Sequence, residues 1–408
     1  MKFSKLRQLM LVSAIGLVVA TLFSGCQLVT IDYAFVATSA SKIGSNGTAC
    51  PAGEVETFAV DSQSGAIRSG ALQVCSGGTT PTAIVVSPGY QNLYVANQVD
   101  MNIVHFAVAA NGVLTKKDSV SLGTTPVAMA VSPDGNTLYV VSGTTTATLS
   151  TYSLSSGALG SVANQVSLAI PGFASDSVVP TGVTVLANGN AVYVTAYDLS
   201  AYNPGGVTTS TASPGWLFGF TTGSGGALTP IPGSPYNAGV KPSALAADPT
   251  NRFVYVTDFA SNQLIGYGIY TGFSLNFLVN GPYKTGGEPT SIAIDPRGKF
   301  IYVSNSLDSS VTAYVIDLTT GTPSTAVNAT GSQTNTTDTQ PLSVAVDPAL
   351  GRFVYTANFL GNSVSGFRLD PTAGTLKQTQ ATPYPTGIHP TSVVLVPHGN
   401  HSTQTVTP

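Results

Sequence analysis

The chain contains 408 residues, of which 43% are hydrophobic and only 8% are charged. This length and apolar content allow a large core, in one large domain or two ordinary ones. The formal net charge is −3. Because phosphate binding requires clustered Lys and Arg, this composition argues against a nucleic acid partner.

The first 26 residues predict an export signal. Basic residues near the start precede an apolar run from Leu9 to Val19, which is too short for a membrane span with its own flanks. The segment ends in LFSGC, which resembles the bacterial lipobox, with Phe23 where Leu is usual. We therefore expect a lipid on Cys26, a short linker over residues 27–31, and a membrane-anchored lipoprotein of the bacterial cell envelope, in the periplasm or on the outer surface.

Two cysteines remain after the signal, Cys50 and Cys75. In an oxidising compartment the simplest interpretation is a disulfide between them, which would close an otherwise loose loop. A metal site would need more ligands, and no His or further Cys lies in that stretch. We expect no metal and no cofactor.

Seven copies of one pattern fill the rest of the chain. A Pro opens a short apolar strand, a turn bearing Pro or Gly follows, and a second strand rich in Val, Tyr, Phe and Thr surrounds a central aromatic residue. The central aromatics are Phe35, Tyr94, Tyr139, Tyr193, Tyr255, Tyr302 and Tyr355. Their uneven spacing of about fifty residues is typical of β-propeller blades.

The two ends of the repeat region complement each other. The stretch from His389 to Pro397 is an opening half without an aromatic strand, whereas the first copy has an aromatic strand without an opening half. Joining them completes one blade and closes the ring without an unpaired edge. The sequence therefore predicts an all-β fold, a seven-bladed β-propeller over residues 32–397.

These Pro-opened blades and their aromatic strands resemble the YVTN and lactonase-type seven-bladed propellers, a family that includes bacterial 6-phosphogluconolactonase and the muconate lactonising enzymes. The similarity covers roughly residues 32–397. It implies the fold more strongly than an activity, because repeats of this type occur on proteins with and without enzymatic activity.

The family motif associated with activity is altered in this chain. Lactonase members carry a GPRH opening and an NE after the aromatic strand of one blade, and the His, Arg and Glu there are tied to activity. In the corresponding blade Thr290 and Ser291 replace Arg and His, and Ser306 replaces Glu. The acidic DLG stretch of another blade is replaced by VSGTTT from Val141. The resemblance therefore does not transfer a catalytic set to this sequence.

The residue before each opening Pro is a repeated position facing the mouth of the predicted channel. These residues are Thr80, Thr125, Val179, Lys241, Glu288, Gln340 and His389. The last four are polar and successive, so we expect a ligand-binding arc there; the alternative is that exposed loop positions simply accept polar residues. As candidate catalytic groups, His389 would act as general acid or base, Lys241 would stabilise an oxyanion, and Glu288 would orient or compete.

A second ring of mostly polar residues closes the aromatic strands. Its members are Asn97, Ser142, Ala196, Asp258, Asn305 and Asn358. They could bind a ligand, or a cation if other ligand groups lie near Asp258. The interpretation that we favour is that they satisfy backbone groups of the following loop.

The fourth blade has an extended loop that contains Tyr197, Tyr202 and the single Trp of the chain, Trp216. Aromatic side chains projecting toward the mouth would stack on a sugar or hold a partner. Equally, Trp216 would anchor the loop against its own blade.

Three histidines lie outside the mouth. His105 lies in an apolar run and is interpreted as a strand residue. His398 and His401 fall in the tail from His398 to Pro408, which we expect to be disordered.

We predict a lipid-anchored, monomeric, non-catalytic propeller that binds a protein or carbohydrate at its mouth through the arc and the loop of the fourth blade. The alternative is a lactone hydrolase related to 6-phosphogluconolactonase. The export signal counts against that particular substrate, because sugar phosphates of central metabolism are cytoplasmic.

Overall fold

The structure, a computed structural model, describes residues 29–40, 50, 52–170, 177–202, 214–327 and 334–406. Within these ranges the chain is almost entirely β-strand, and the helices are three short 3₁₀ segments, Ser224–Gly226, Thr271–Phe273 and Gly399–Thr403. None of the helices found in these ranges has the length and apolar character needed to cross a bilayer. The predicted lipidation site, Cys26, lies outside the described residues.

The described strands form seven antiparallel sheets, which are the blades of a propeller. The first three strands belong to blade 1: β1 (Thr30–Ala40), β2 (Glu54–Asp61) and β3 (Ile67–Cys75). Blade 2 contains β4 (Pro81–Val86), β5 (Asn92–Asn97), β6 (Asn102–Val108) and β7 (Leu114–Ser121). Blade 3 contains β8 (Pro126–Val131), β9 (Thr137–Ser142), β10 (Thr148–Ser155) and β11 (Ala158–Ser167).

Blades 4 to 7 each add a short fifth strand. Blade 4 contains β12 (Val178–Val185), β13 (Ala191–Asp198), β14 (Gly215–Thr222), β15 (Leu228–Pro230) and β16 (Tyr236–Asn237). Blade 5 contains β17 (Pro242–Ala247), β18 (Phe253–Asp258), β19 (Gln263–Ile269), β20 (Leu275–Phe277) and β21 (Tyr283–Lys284). Blade 6 contains β22 (Pro289–Ile294), β23 (Phe300–Asn305), β24 (Ser310–Ile316), β25 (Pro323–Thr325) and β26 (Thr334–Thr336). Blade 7 contains β27 (Pro341–Val346), β28 (Phe353–Asn358), β29 (Ser363–Leu369), β30 (Leu376–Gln378) and β31 (Tyr384–Pro385).

The final strand, β32 (Ile388–Pro397), returns to blade 1 and pairs with β1. The sheet order β3-β2-β1-β32 places the C-terminal strand innermost, beside the channel. The predicted seven-bladed, all-β architecture and its closure by the two chain ends are therefore confirmed. β1 begins at Thr30, so Thr30 and Ile31 belong to the propeller rather than to the expected linker over residues 27–31.

The hydrophobic core of the described residues lies between blades. Each of its seven clusters combines side chains of two neighbouring blades. The central aromatics are buried there, and several of their hydroxyls join adjacent blades: Tyr255 donates to the carbonyl of Gly321 at 2.6 Å, and Tyr302 to that of Gly374 at 2.9 Å. The repeated aromatic strand is thus a scaffold element that holds each blade to the next.

The inner strands share a β-bulge immediately after the opening Pro. In blades 2 to 7 the strand register shifts at this point, for example between Pro289 and Ser291 on β22 and between Pro341 and Ser343 on β27. A bulge re-aims the extra side chain. Each inner strand begins at one face of the ring, which we call the mouth, and ends at the opposite face.

The C-terminal tail departs from expectation. Residues Gly399–Thr403 form a 3₁₀ helix, and His401 is only 5% exposed. The prediction of a disordered tail from His398 is therefore wrong for this segment, because the imidazole of His401 packs against buried carboxylates.

Two other predictions are confirmed. Cys50 and Cys75 form a disulfide. His105 lies in β6 and contacts Asp118 and Asn92, each at 2.9 Å, so it is a buried strand residue.

Candidate functional site

The residues before the opening prolines form a half-buried rim around the mouth. Four members that follow one another around the ring hold a left-handed backbone: Glu288 has φ 53°, Gln340 has φ 59°, His389 has φ 53° and Thr80 has φ 55°. Residues other than Gly rarely adopt this conformation. Because Thr80 shares this conformation and Lys241 does not, it is a property of the blade corners on this side of the ring and does not single out the polar residues.

Side chains of the preceding blade hold these strained residues in place. Asn262 accepts the backbone N–H of Glu288 at 2.7 Å through Oδ1, and Asn362 does the same for His389 at 2.8 Å. The hydroxyl of Ser309 accepts the N–H of Gln340 at 3.3 Å. Because each acceptor comes from the neighbouring blade, the position of each rim residue depends on blade-to-blade packing.

Lys241 lies among three aromatic rings. Its Nζ is 4.5 Å from the ring centre of Phe259, 5.1 Å from that of Tyr202 and 5.7 Å from that of Tyr197. Tyr197 and Tyr202 contact each other edge to face, with ring centres 5.4 Å apart. The faces of such rings attract a cation, so blade 4 supplies two walls of a site around a lysine of blade 5.

Burial lowers the pKa of Lys241, and the carboxylate of Glu288 acts in the opposite direction. Burial raises the pKa of Tyr202, with further contributions from Asp258 and Glu288. These couplings show that Lys241, Tyr202 and Glu288 lie within one electrostatic environment. We call the residues Lys241, Glu288, Tyr197, Tyr202 and Phe259 the Lys241 cluster.

Glu288 is held at the corner of blade 6 where the aromatic strand β23 ends. Its Oε2 accepts a hydrogen bond from the hydroxyl of Ser306 at 3.2 Å, and Ser306 N–H donates to the carbonyl of Glu288 at 2.9 Å. Ser306 is the position at which the lactonase motif carries Glu. A carboxylate is therefore present at this corner, supplied by Glu288.

Gln340 and His389 occupy a separate part of the rim. The imidazole of His389 stacks on Phe359, with ring centres 4.4 Å apart and planes 12° apart, and the carbonyl of Gln340 accepts the N–H of Phe359 at 2.8 Å. Among the described residues, neither side chain makes a hydrogen bond, ion pair or ring contact with Lys241. The predicted arc is thus divided, with Lys241 and Glu288 in one group and His389 with Phe359 in another.

Trp216 lies outside the Lys241 cluster. It belongs to β14, where it is paired with Ala196 and Asn237. Its half-buried side chain packs against the apolar cluster between blades 3 and 4. This position fits the anchoring interpretation, while its predicted role in ligand binding stays a prediction.

The residues that close the aromatic strands act as caps. The carboxylate of Asp258 accepts the backbone N–H groups of Val240 at 2.8 Å and Lys241 at 2.9 Å, and the side-chain amide of Gln263 at 3.1 Å. Asn305 similarly donates to Ser310 and Thr312. Asp258 therefore positions the backbone of Lys241 from below.

Small hydroxyl side chains line the channel inside the rim. Its cavity of about 220 Å³ is bordered by Ser243, Thr290, Ser291 and Thr391 among others. The hydroxyl of Thr290, on the bulge of β22, donates to the carbonyl of Pro341 at 2.8 Å, and Ser291 accepts the N–H of Val344 at 3.3 Å. The positions of the motif's Arg and His are thus occupied by residues that join blades 6 and 7.

Two residues of the site, Phe259 and Phe359, were not predicted from the sequence. A signal was present, because both directly follow a strand-closing polar residue, Asp258 or Asn358. Their contact with rim side chains depends on how neighbouring loops fold over the mouth. The sequence spacing does not give that geometry.

Comparison with known proteins agrees with this architecture. The family model described as "Lactonase, 7-bladed beta-propeller" matches residues 51–179 and 241–401. The interval without a match includes the long loop of blade 4. No curated protein matches the chain.

Solved structures with the same fold include two bacterial proteins described as lactonases. A candidate 6-phosphogluconolactonase of Bacteroides uniformis superposes with a TM-score of 0.69 at 17% identity, covering 90% of this chain and 100% of its own. The periplasmic gluconolactonase of Pseudomonas aeruginosa also gives a TM-score of 0.69 at 17% identity, with 89% and 99% covered. At this identity the likeness shows the fold alone. Because the family model matches most of the chain, the protein belongs to the seven-bladed β-propeller lactonase family.

Proposed function

We propose that the protein is a lactone hydrolase whose substrate binds at the Lys241 cluster. The observation that carries this proposal is the half-buried ammonium group of Lys241 among the rings of Tyr197, Tyr202 and Phe259, with the carboxylate of Glu288 near enough to act on the pKa of that lysine. Family membership and the names of the two structural neighbours support the same reaction class. The sequence alone favoured a binding propeller, with the lactone hydrolase as the alternative; we now place the hydrolase first.

The chemistry needed is hydrolysis of a cyclic ester. In the proposed reaction Glu288 takes a proton from water as the water oxygen bonds to the lactone carbonyl carbon, and the ammonium of Lys241 stabilises the resulting oxyanion. The ring C–O bond then breaks, the carbonyl re-forms, and the proton on Glu288 passes to the departing alkoxide. The product is a hydroxy acid, and the aromatic rings provide faces on which a sugar ring stacks.

The altered family motif is compatible with this proposal. Ser306 stands at the motif's Glu position but hydrogen-bonds the carboxylate of Glu288. Thr290 and Ser291 stand at the Arg and His positions, and Lys241 of the adjacent blade supplies a cation at the same rim. Glu288 replaces His389 as the proposed base because Glu288 shares the environment of Lys241, whereas His389 stacks on Phe359.

The test is hydrolysis of a panel of sugar and aliphatic lactones by the full chain. We expect Glu288→Gln and Lys241→Met each to lower kcat/KM by about 100-fold or more, since general base and oxyanion groups contribute on this scale. The control is Thr125→Val, a change at the equivalent rim position of blade 3, which should leave kcat/KM unchanged. Activity that survives in Glu288→Gln but is lost in His389→Ala would contradict the assignment.

The second candidate function is a binding module for a protein or carbohydrate. It is favoured by the hydroxyls of Thr290 and Ser291, which make inter-blade hydrogen bonds where the family motif has reactive groups. Calorimetric titration with sugar acids and oligosaccharides separates the two. Binding without turnover, lost in Lys241→Met and retained in Thr125→Val, would replace the hydrolase proposal with this one.

A further inference from the structure

A second cluster of chemically active groups lies at the face opposite the mouth. Asp32 at the start of β1, Asp347 in the turn between β27 and β28, and His401 of the C-terminal 3₁₀ helix are all buried. One ligand atom from each lies within 4.8 Å of the others. We call these three residues the basal cluster.

Asp32 is the unusual member of the basal cluster. Its side chain is fully buried, yet neither carboxylate oxygen has a hydrogen-bond partner among the described residues. Its Oδ1 lies 3.3 Å from Nε2 of His401, without hydrogen-bond geometry. A buried carboxylate without hydrogen bonds is costly, so the two oxygens of Asp32 are available to a cation.

The spacing of the ligand atoms fits one metal ion. Nε2 of His401 is 3.2 Å from Oδ1 of Asp347 and 3.3 Å from Oδ1 of Asp32. In a tetrahedral zinc site with bonds of about 2.0–2.1 Å, neighbouring ligand atoms lie about 3.3 Å apart. The two distances from His401 therefore match this value, and the two carboxylates lie within 4.8 Å of each other.

The surrounding hydrogen bonds orient the ligands as metal sites require. Nδ1 of His401 lies 3.0 Å from Oε1 of Gln404, and Nε2 is hydrogen-bonded to Oδ1 of Asp347 at 3.2 Å. With Nδ1 donating to Gln404, a cation would take the place of the proton on Nε2. Asp347 is fixed by the N–H groups of Ala349 at 2.9 Å and Arg352 at 3.1 Å. Two of the three ligands are thus already held in position.

The charges around the basal cluster are the two carboxylates, His401 and the guanidinium of Arg352, which would repel a bound cation. Burial, reinforced by the carboxylate of Asp347, raises the pKa of Asp32 to about 8, while His401 and Arg352 act in the opposite direction. A divalent cation would remove the repulsion between the two carboxylates. A neighbouring cavity of about 330 Å³, bordered by Ile31, His398, His401 and Gln404, provides an approach and room for a water ligand.

We propose that Asp32, Asp347 and His401 bind one divalent cation of the zinc type, which fastens the two chain ends to blade 7. The ligand set of two carboxylates and one imidazole suits zinc and similar first-row ions. Its position joins β1, the segment after β32 and blade 7, so its role is structural. The proposal is independent of the reaction at the mouth.

The test uses the full chain treated with EDTA and then titrated with Zn²⁺ by calorimetry. We expect one Zn²⁺ per chain, with affinity lost in Asp32→Asn and His401→Asn and lowered about tenfold in Gln404→Ala, which removes only the second-sphere bond. The matched control is His105→Asn, because His105 is also buried beside an Asp but has no third ligand. That variant should bind Zn²⁺ like the wild type.

Two measurements keep the proposal testable if a ligand variant fails to fold. Co²⁺ bound to the wild-type chain should give the visible absorption of a four-coordinate oxygen and nitrogen site. Zn²⁺ at 100 times its Kd should raise the unfolding midpoint by about 3 °C. Absence of stoichiometric Zn²⁺ binding by the wild type, or unchanged binding in folded His401→Asn, would overturn the proposal in favour of an imidazolium shared by two carboxylates.

Discussion

Lys241 illustrates how much of the mouth is decided by single residues. The sequence places it before an opening Pro, at the same position as six other rim residues, and thereby predicts that it faces the mouth. The rings of Tyr197, Tyr202 and Phe259 around its ammonium could not be predicted, because they come from two blades and reach it through loops. The sequence predicts the position of Lys241 at the mouth, whereas it does not predict the surrounding side chains that determine the chemistry of its ammonium group.

The lowered pKa of Lys241 leads to a prediction about pH. Burial disfavours the charged ammonium, so the group loses its proton at a lower pH than an exposed lysine would. If the ammonium stabilises an oxyanion, kcat/KM should fall as the pH rises through this lowered pKa. In Lys241→Arg the alkaline decrease should move to higher pH or disappear, because guanidinium stays protonated.

The measurement is the pH profile of lactone hydrolysis for the wild type and the Arg variant, with Thr125→Val as the control that keeps the wild-type profile. An alkaline decrease at the same pH in Lys241→Arg would show that another group causes it. The lower overall rate expected from the altered head group does not affect this comparison, since only the position of the decrease is compared.

At the scale of the strand, the repeated aromatic residue explains how one blade holds the next. In blades 5, 6 and 7 the Tyr hydroxyl reaches a carbonyl in the outer turn of the following blade. The acceptor in blade 7, Gly374, has φ 71°, and a Cβ there would overlap the ring of Phe300. The Phe and the Tyr of the repeated strand therefore both contact a Gly in the neighbouring blade, and this packing requires that the position be Gly.

Removing one such hydroxyl should weaken the propeller measurably. We expect Tyr302→Phe to lower the free energy of unfolding by about 1–2 kcal/mol, because the buried carbonyl of Gly374 loses its partner at 2.9 Å. Urea unfolding followed by circular dichroism measures this change. Tyr270→Phe is the control, since Tyr270 is 59% exposed; an equal loss in both variants would contradict the role assigned to Tyr302.

For the whole molecule, the positions of the chain ends define an orientation. Asp32 pairs with Pro397 at the end of β32, so the described chain begins on the face opposite the mouth. Only residues 27 and 28 separate Cys26 from Val29, a span of about 10 Å at most. We propose that a lipid on Cys26 holds the basal face against the membrane and directs the mouth away from it.

This orientation can be tested by labelling with a bulky, membrane-impermeant thiol reagent on membranes that expose the protein. Val99→Cys, in an exposed loop at the mouth, should react quickly, whereas Gly89→Cys, in an open turn at the basal face, should be protected. In Cys26→Ser the protein should leave the membrane, and both positions should react alike. Equal labelling of the anchored protein would contradict the proposed orientation.

The sequence by itself determined the number of blades, the opening and aromatic strands of the repeat, the closure by the chain ends and the Cys50–Cys75 disulfide. These properties follow from the local repeat pattern and from the complementary chain ends, both of which are visible in the sequence. The tertiary structure alone decided the division of the rim, the contacts of Lys241 with Tyr197 and Tyr202, and the burial of His401 beside Asp32 and Asp347. Each of these joins residues of different blades, and their distances depend on how the blades pack rather than on their spacing in the sequence.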